Sequence, residues 1–402
     1  MSPLVRDLRG PRRWSPPVAT PPNFRRRRVV AGFCIVGVTL AIAVGPSLGS
    51  ALSNQALGAS TGARFAEWAR THGGNGIVNW IENVWYSHHQ PPVGGRPPAG
   101  ALTVSVGAGR QTSSDLPHLP VPPAIVPLAS PAIPGEGQWS PAGRTVGGLP
   151  AVYETRLRPD PVHTSVVVGV AWMDTRLLRA RLYSGSFIPG GGPFTYSAPV
   201  STGMAATIVA AFNAGFQMPA ANGGYYTDGK VLIPLRSGAA SMVIRKDGTA
   251  TVAQWGRDAT MSPNIVSVRQ NLDLLVDHGR AEPALSPTDT TRWGATLGNQ
   301  VYVWRSGIGT TANGALVYVG GPGLNVTTLA DLLVRAGATR AMELDINTDW
   351  VHFATYSPST GTGLASPTNG SNLLPTMVGT PTRYFTDWWS RDFFTMSAVS
   401  SP

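Results

Sequence analysis

Two carboxylates and an amide occupy alternate positions in one short stretch of the sequence, at Glu343, Asp345 and Asn347. Alternate side chains of a β-strand point to the same face, so these three would lie together while the apolar residues between them face the core. Residues i and i+2 of a strand are separated by roughly 6.6 Å. Paired glycosidase carboxylates lie about 5–5.5 Å apart in retaining enzymes and about 6.5–9.5 Å apart in inverting enzymes. The pair therefore fits acid–base hydrolysis, although either carboxylate could instead bind a cation or form an ion pair.

Three further segments carry polar side chains that could bind a substrate. Asn213 ends a strand-like run before a small-residue turn that includes Gly215, and its amide could bind sugar hydroxyls or phosphate, or only close the turn. Arg305 stands before a glycine-rich stretch, where a guanidinium could hold a phosphodiester through two hydrogen bonds or pair with a carboxylate. Arg236 has a similar Arg-Ser-Gly context. With Asn347, these residues are the predicted substrate-binding set; no metal site is predicted and no cofactor is assigned.

The elements that must position these residues are mostly short strands. Besides the strand that carries Glu343, Asp345 and Asn347, seven strand-like runs are predicted, at Thr164–Val170, Thr207–Asn213, Ala240–Arg245, Thr249–Gln254, Leu272–Val276, Gln300–Arg305 and Ala315–Val319. Dipeptides typical of tight hairpin turns occur at Asp228-Gly229, Asp247-Gly248 and Asn313-Gly314.

One amphipathic helix is predicted between two of these strands. Thr327 or Thr328 would cap its beginning, and Gly337 would end it. Because a strand, this helix and the Glu343–Asn347 strand follow one another, we expect one crossover unit. The predicted fold class is α+β, a mostly antiparallel sheet domain with a few helices, preceded by one N-terminal transmembrane helix.

The net charge of +10 is concentrated at the N-terminus. Residues 1–28 are rich in proline and arginine and are predicted to be a disordered cytoplasmic tail. An uncharged apolar run follows, and residues 29–52 are predicted to be a transmembrane helix or signal anchor, because a span needs roughly 20 apolar residues. A cleaved signal peptide is the alternative. The arginines would hold the tail inside, so we expect a single-pass protein of the cell membrane with an extracytoplasmic main domain. Nucleic-acid binding by that domain is not expected, because it is near neutral.

Three segments are predicted outside the membrane. Residues 60–89 form an aromatic helical segment, which is either a collar at the membrane surface or a cap on the main domain. Residues 90–131 are rich in proline and glycine and are predicted to be an extended spacer. Residues 132–398 form the main domain, which has no disulfide because the only cysteine, Cys34, lies in the predicted span. The aromatic tail Tyr384–Phe394 either packs on the core or assembles with other membrane proteins.

Taken in order, three motifs resemble those of the phosphodiester glycosidase family. The turn Asn213–Phe216 is similar to the family's Asn-Gly-Gly-Phe motif. The segment Arg305–Val319 is similar to its Arg-Ser/Thr-x-Ile-Gly strand with an Asp/Asn-Gly hairpin. The segment Thr328–Asp345 is similar to its threonine, Leu-Ala helix, Gly-Ala and Leu-Asp signature. The resemblance covers about residues 205–350.

The resemblance implies an α+β fold and hydrolysis of a sugar-phosphate diester on its glycosidic side. It also implies site roles for Asn213, Arg305 and Asp345, whereas Glu343 comes from the strand pattern. Two departures are visible: Ala214 replaces a glycine, and the family's Leu-Asp-Gly-Gly-Gly-Ser is Leu-Asp-Ile-Asn-Thr-Asp at residues 344–349. Side chains of this loop would replace backbone donors, or activity has been lost.

The sequence therefore predicts a membrane-anchored hydrolase that cleaves a sugar-phosphodiester linkage in cell-envelope glycans or glycopolymers. The alternative is a non-catalytic cell-envelope protein that binds glycans or acts as a scaffold.

Overall fold

The computed structural model describes residues 44–54, 57–58, 60–74, 78, 90–104, 115–294, 301–359, 363–385 and 391–399. The chain divides into two compact units, Met1–Ser50 and Ala51–Pro402. In the first unit the described residues, 44–50, are helical. The predicted tail and residues 29–43 of the predicted span lie outside the described residues. Among the described residues, no helix has the length and apolar character needed to cross a membrane.

The second unit contains three sheets in which all pairs of neighbouring strands are antiparallel. The largest has eight strands, in spatial order β1 (Ser140–Val146), β2 (Leu149–Leu157), β3 (Val168–Met173), β14 (Leu316–Leu324), β13 (Val303–Thr311), β15 (Ala338–Glu343), β11 (Leu274–Asp277) and β12 (Arg280–Ala281). A five-stranded sheet has the order β7 (Lys230–Ile233), β6 (Tyr225–Thr227), β10 (Ile265–Gln270), β8 (Ala240–Arg245) and β9 (Ala250–Gln254). The other five-stranded sheet has the order β17 (Gly370–Asn372), β16 (Phe353–Tyr356), β5 (Ile208–Asn213), β18 (Phe393–Ala398) and β4 (Leu178–Tyr183).

Helices are few and short. They are α1 (Thr61–Thr71), α2 (Thr202–Ala205), α3 (Met218–Ala221), α4 (Thr290–Trp293) and α5 (Val326–Arg335), with 3₁₀ turns at Pro367–Asn369 and Pro381–Tyr384. The predicted α+β class with a mostly antiparallel sheet is therefore confirmed for this unit. The helix α1 is the main described part of the predicted aromatic segment 60–89. Residues 75–77 and 79–89 of that segment lie outside the described residues.

The predicted crossover unit is confirmed. Strands β14 and β15 flank β13 and are both antiparallel to it, so they run parallel to each other and α5 connects them. Its buried side chains include Leu329, Leu332 and Leu333, which pack in a core cluster with residues of the eight-stranded sheet. This helix therefore returns the chain to the sheet beside β13, where β15 ends at Glu343.

The predicted cap of this helix was wrong. Asn325 is the N-cap residue, and its Oδ1 accepts a hydrogen bond from the backbone N–H of Thr328 at 2.8 Å. Asparagine is as good a cap as threonine, and the helix begins earlier than the threonines suggested. Gly337 follows the helix with φ of +93°, so the predicted glycine stop is confirmed.

The three predicted hairpin turns are confirmed, and they connect β6 to β7, β8 to β9 and β13 to β14. The sequence reading missed two further hairpins: Gly147 and Gly148 connect β1 to β2, and His278 and Gly279 connect β11 to β12, and all four residues have positive φ. These tight connections set the strand registers, and with them the strand ends that meet at the candidate site.

The three sheets share a core. One apolar cluster includes Phe212 from β5, Met242 from β8, Ile308 from β13 and Met342 from β15, all 0–1 % exposed. The tail residues Phe393 and Phe394 are fully buried in β18, which supports the packing alternative for the part of the tail that the structure describes.

The proline- and glycine-rich segment 90–131 lies against the main domain over its described parts, 90–104 and 115–131. Leu119 and Ile125 are buried, and the Leu119 N–H donates to Asp174 Oδ2 at 2.7 Å. Arg156 Nη1 donates to the carbonyl of Thr103 at 2.9 Å. Because side chains of the domain bind its backbone groups, this segment is part of the folded surface and not a free extended spacer over these residues.

Candidate active site

Glu343 is the last residue of β15 and lies completely inside the protein, at 0 % exposure. Its Oε1 accepts a hydrogen bond from Arg305 Nη1 at 2.6 Å, and Arg305 Nε donates to the carbonyl of Leu324 at 3.1 Å. Glu343 Oε2 is buried without a hydrogen-bond partner among the residues that the structure describes. Arg305 is thus committed to a carboxylate, while Glu343 keeps one oxygen available for a proton.

Asp345 lies two residues further, where the chain leaves the sheet. Backbone pairing continues past β15, because the Ser306 N–H donates to the Asp345 carbonyl at 2.8 Å. The chain then turns around the carboxylate, whose Oδ1 accepts from the N–H groups of Ile346 and Asn347 at 2.8 and 2.9 Å. Arg391 Nη1 donates to Oδ2 at 3.0 Å. The predicted continuation of the strand to Asn347 was wrong, since a side chain that bonds the next two backbone N–H groups closes a turn.

The two carboxyl groups have similar proton affinities. Burial raises the pKa of Glu343 to about 6 against the opposing charge of Arg305, and the charge of Asp345 raises it further. Burial also raises the pKa of Asp345 to about 6 against the opposing charge of Arg391. Carboxyl groups with pKa values near 6 can donate or accept a proton close to neutral pH.

Asn213 joins the strand ends around this pair. Its Nδ2 donates to the Ala214 carbonyl at 2.8 Å and to Ser306 Oγ at 3.1 Å. Its Oδ1 accepts from Tyr318 Oη at 2.9 Å and from the His352 N–H at 3.0 Å. All four hydrogen-bonding positions of the amide are therefore used within the protein. In this structure Asn213 holds β5, β13 and β14 together at the site.

Gly215 permits a close approach beside Asn213. A Cβ atom at this position would lie 2.8 Å from Asn271 Oδ1 and 3.2 Å from Arg269 Cζ. Asn271 Nδ2 donates to the Glu343 carbonyl at 2.8 Å, and its Oδ1 accepts from the Phe216 N–H at 3.0 Å. The glycine thus makes room for a bridge between the Asn213 turn and the carboxylate strand.

Glu343 is thus paired with Arg305 and Asp345 with Arg391, and the Ser306 hydroxyl links Asn213 to the backbone of Asp345. Asn347 lies at the edge of this network, where its Oδ1 accepts from the Asp349 N–H at 2.8 Å. Arg236 has different partners.

Arg236 lies in the connection between β7 and β8, and none of its described contacts is with the carboxylates. Its Nη2 donates to the Leu272 carbonyl at 2.9 Å and to Asp273 Oδ1 at 2.7 Å. Its side chain is 35 % exposed. These contacts give Arg236 a structural partner at the rim of the second sheet.

Sequence reasoning missed three charged residues of the network. Arg391 binds Asp345 and stacks over the ring of Trp350, with 3.9 Å between the guanidinium carbon and the ring centroid. Arg269 Nε donates to Asp392 Oδ2 at 2.6 Å, and both side chains are 1 % exposed. The available signal was an Arg-Asp pair inside the aromatic tail, directly before a strand. Asn271 could have been found in the same way as Asn213, because it directly follows β10 and Asn213 is the last residue of β5.

The helix α1 contacts the same end of the domain. Gln217 directly follows the Asn213–Phe216 turn, and its Nε2 donates to Glu67 Oε1 of α1 at 3.0 Å. Because Glu343 and Asp345 are only 0 % and 3 % exposed, a substrate could reach them only if residues around them moved.

The described residues contain no group of three or more His, Cys, Asp or Glu side chains arranged to hold a metal ion. What the network offers is two proton-exchanging carboxyl groups, an arginine stacked on an aromatic ring and a frame of buried amides. That set of groups is suited to hydrolysis of a bond beside an anionic group.

Residues 206–346 match the family model described as phosphodiester glycosidase. The match begins just before β5 and ends one residue after Asp345, so it contains the strand ends that carry Asn213, Arg305, Glu343 and Asp345. The resemblance to this family that the motifs predicted is therefore confirmed over this segment. A comparison with curated protein sequences finds no match.

Two solved structures are distantly similar. One is the catalytic domain of zebrafish N-acetylglucosamine-1-phosphodiester alpha-N-acetylglucosaminidase, auto-inhibited by its pro-peptide, with 15% identity, a TM-score of 0.37 and coverage of 65% of this chain and 88% of that chain. The other is a hypothetical protein from Synechocystis, with 13% identity, a TM-score of 0.33 and coverage of 65% of this chain and 64% of that chain. No residue role is transferred from either structure.

Proposed function

We propose that this protein is a membrane-anchored, extracytoplasmic hydrolase that cleaves a sugar-phosphodiester linkage of cell-envelope glycans or glycopolymers on the glycosidic side. The observation that carries the proposal is the family match over residues 206–346, whose strand ends converge on the buried carboxyl pair. The anchor and the location are supported by the arginine-rich residues 1–28 and the apolar run after them.

Glu343 is the group that moves the proton in this proposal. Its unpartnered Oε2 would carry the proton when the carboxyl is neutral and donate it to the oxygen that bridges the anomeric carbon and phosphorus. The carbon–oxygen bond breaks, and a phosphate monoester leaves with that oxygen. Water then adds to the anomeric carbon and gives its extra proton to the Glu343 carboxylate, which restores the acid. The products are the free sugar and the phosphate monoester.

Asp345 supplies the negative charge that such a transition state needs. Glycosidic cleavage develops positive charge on the sugar ring. Two backbone N–H groups and Arg391 stabilise the ionised form of Asp345 against the burial that raises its pKa. We assign the phosphate contact to Arg391, which is 11 % exposed, because Arg305 is 2 % exposed and bound to Glu343. Asn213 then positions the strand ends and Arg305 positions Glu343.

The experiment is sugar release by the detergent-solubilised full chain from a panel of glycosyl phosphodiesters. The expected result is release by the wild type and a loss of about 10²-fold or more in Glu343→Gln, as for removal of a general acid. Glu282→Gln is the matched control, since it removes a half-buried carboxylate of the same domain that lies beside Arg292. Equal activity in both variants would contradict the role of Glu343.

The alternative function is a non-catalytic glycan-binding or scaffolding protein of the cell envelope. The complete burial of both carboxylates, and the arginine partner that each has, favour it. In that case the panel would give no release, and the wild type and Glu343→Gln would bind envelope glycan equally.

A further inference from the structure

A second cleft opens on the five-stranded sheet that contains β5 and β18, and it is separate from the carboxyl pair. Its volume is about 330 Å³, and its lining includes Arg179, Arg181, Thr207 and Ser397. Thr207 directly precedes β5, whereas Asn213 is the last residue of that strand. Six strand residues span roughly 20 Å, so the cleft and the candidate active site lie at opposite ends of β5.

The two arginines are presented by β4 on one face. They are two residues apart on the strand, so their side chains point to the same side. In the register between β4 and β18, Ser397 is directly opposite Arg179. The cleft therefore places two guanidinium groups and a hydroxyl on neighbouring strands around one space.

Neither arginine forms a salt bridge with a residue that the structure describes. Arg179 donates through Nη1 alone, to backbone carbonyls that include those of Thr175 and Leu178 at 2.9 Å. Arg181 donates from Nε to Tyr196 Oη at 2.9 Å and from Nη1 to the Ala180 carbonyl at 2.8 Å. Nε and Nη2 of Arg179 and Nη2 of Arg181 therefore have no described protein acceptor, and at least one donor from each arginine is available to a ligand.

The hydroxyl of Ser397 supplies an independent observation. Its residue is 5 % exposed, and Oγ has no hydrogen-bond partner among the described residues although it lies at the cleft. A buried hydroxyl without a partner is unfavourable unless something binds it. A ligand oxygen in the cleft would accept a hydrogen bond from the Ser397 hydroxyl.

Among the described residues that line the cleft there is no carboxylate. Asp247 is the acid whose charge interacts with Arg179, and its Oδ1 is already bonded to the N–H and the hydroxyl of Thr249. The net charge around the space is therefore positive. A ligand that satisfies several N–H donors and one hydroxyl at once has several oxygens and a negative charge.

We propose that this cleft binds a phosphate-type oxyanion through Arg179, Arg181 and Ser397. The bound anion accepts hydrogen bonds from both guanidinium groups and from the serine hydroxyl, which are the charge-assisted contacts that phosphate favours. The site is independent of the hydrolysis proposed above, because none of its residues belongs to the carboxyl network.

The test is calorimetric titration of inorganic phosphate into the detergent-solubilised full chain at low ionic strength. We expect saturable binding that weakens about tenfold or more in Arg181→Gln, because one charge-assisted contact is lost. Arg176→Gln is the matched control, since it removes an exposed arginine close in sequence that does not line the cleft. Absence of saturable binding, or equal weakening in both variants, would overturn the proposal.

Ser397→Ala tests whether the Ser397 hydroxyl binds phosphate or is only buried without a partner. Its hydroxyl has no protein partner to lose, so the variant should keep or exceed the unfolding temperature of the wild type without phosphate. With phosphate, it should gain less stability than the wild type gains. An equal phosphate-dependent gain in both proteins would contradict the proposal. A parallel titration with dimethyl phosphate then identifies the source of the phosphate. If the natural ligand is a free phosphate, only inorganic phosphate should bind. If it is the phosphate of a diester chain, inorganic phosphate and dimethyl phosphate should both bind.

Discussion

The buried pair of Arg305 and Glu343 should show strong energetic coupling. Their side chains are 2 % and 0 % exposed and are joined by a hydrogen bond of 2.6 Å. Removal of one partner leaves the other charge buried and uncompensated, which costs about 3–5 kcal/mol. Arg305→Met also leaves the Leu324 carbonyl without the 3.1 Å bond from Nε, which adds about 1–3 kcal/mol.

The double variant Arg305→Met/Glu343→Leu removes both charges and fills the space with apolar atoms. It retains only the cost at the Leu324 carbonyl, so we expect it to be less destabilised than the sum of the two single variants by about 6 kcal/mol or more, because both costs of an uncompensated charge disappear. The assay is urea unfolding of the wild type, both single variants and the double variant at pH 7.5, followed by tryptophan fluorescence. Single-variant effects that add to within about 0.5 kcal/mol would refute the reasoning.

Three further outcomes are expected. Because burial raises the pKa of Glu343 from 4.5 to about 6, the folded form gains stability from protonation below pH 4.5 and loses it as the pH rises through 6; unfolding curves should show Glu343→Gln gaining about 2 kcal/mol on the wild type between pH 4.5 and 7.5, and a constant difference would contradict the raised pKa. Gly215→Ala should lose about 1–3 kcal/mol of unfolding free energy, because its Cβ would meet Asn271 Oδ1 at 2.8 Å; unchanged stability would show that this bridge yields freely. Gln217→Ala breaks the contact with Glu67, so sugar release should rise if α1 covers the site, and a fall would show that the contact supports the active form.

The carboxyl pair could be predicted from the sequence because local rules determine it. Alternation along a strand puts Glu343 and Asp345 on one face, and Asp-Gly and Asn-Gly turns set the strand registers around them. Asn213 and Arg305 were found because each stands at a strand end or in a strand beside glycines, which is also where the family's motifs lie. Their roles were not predictable, because the acceptor that a buried arginine chooses depends on contacts made only after folding.

The remaining site residues depend on contacts between distant parts of the chain. Arg269 and Asp392 are 123 residues apart and meet because β10 and β18 belong to sheets that pack against one another. Arg391 precedes β18, a strand whose place between β5 and β4 cannot be read from its own sequence. The chain also turns at Asp345, where a side chain captured by the next two N–H groups outweighs the apolar alternation that predicted a longer strand.

In the proposed reaction, water attacks the sugar and not the phosphorus. The decisive measurement is a reaction of the full chain with a glycosyl phosphodiester in water enriched in oxygen-18, with mass analysis of both products. The label should enter the sugar hydroxyl, the phosphate monoester should stay unlabelled, and Glu343→Gln should abolish the incorporation. Label in the phosphate monoester would identify a phosphodiesterase instead, and would contradict the assignment of Glu343 as the acid for the glycosidic bond.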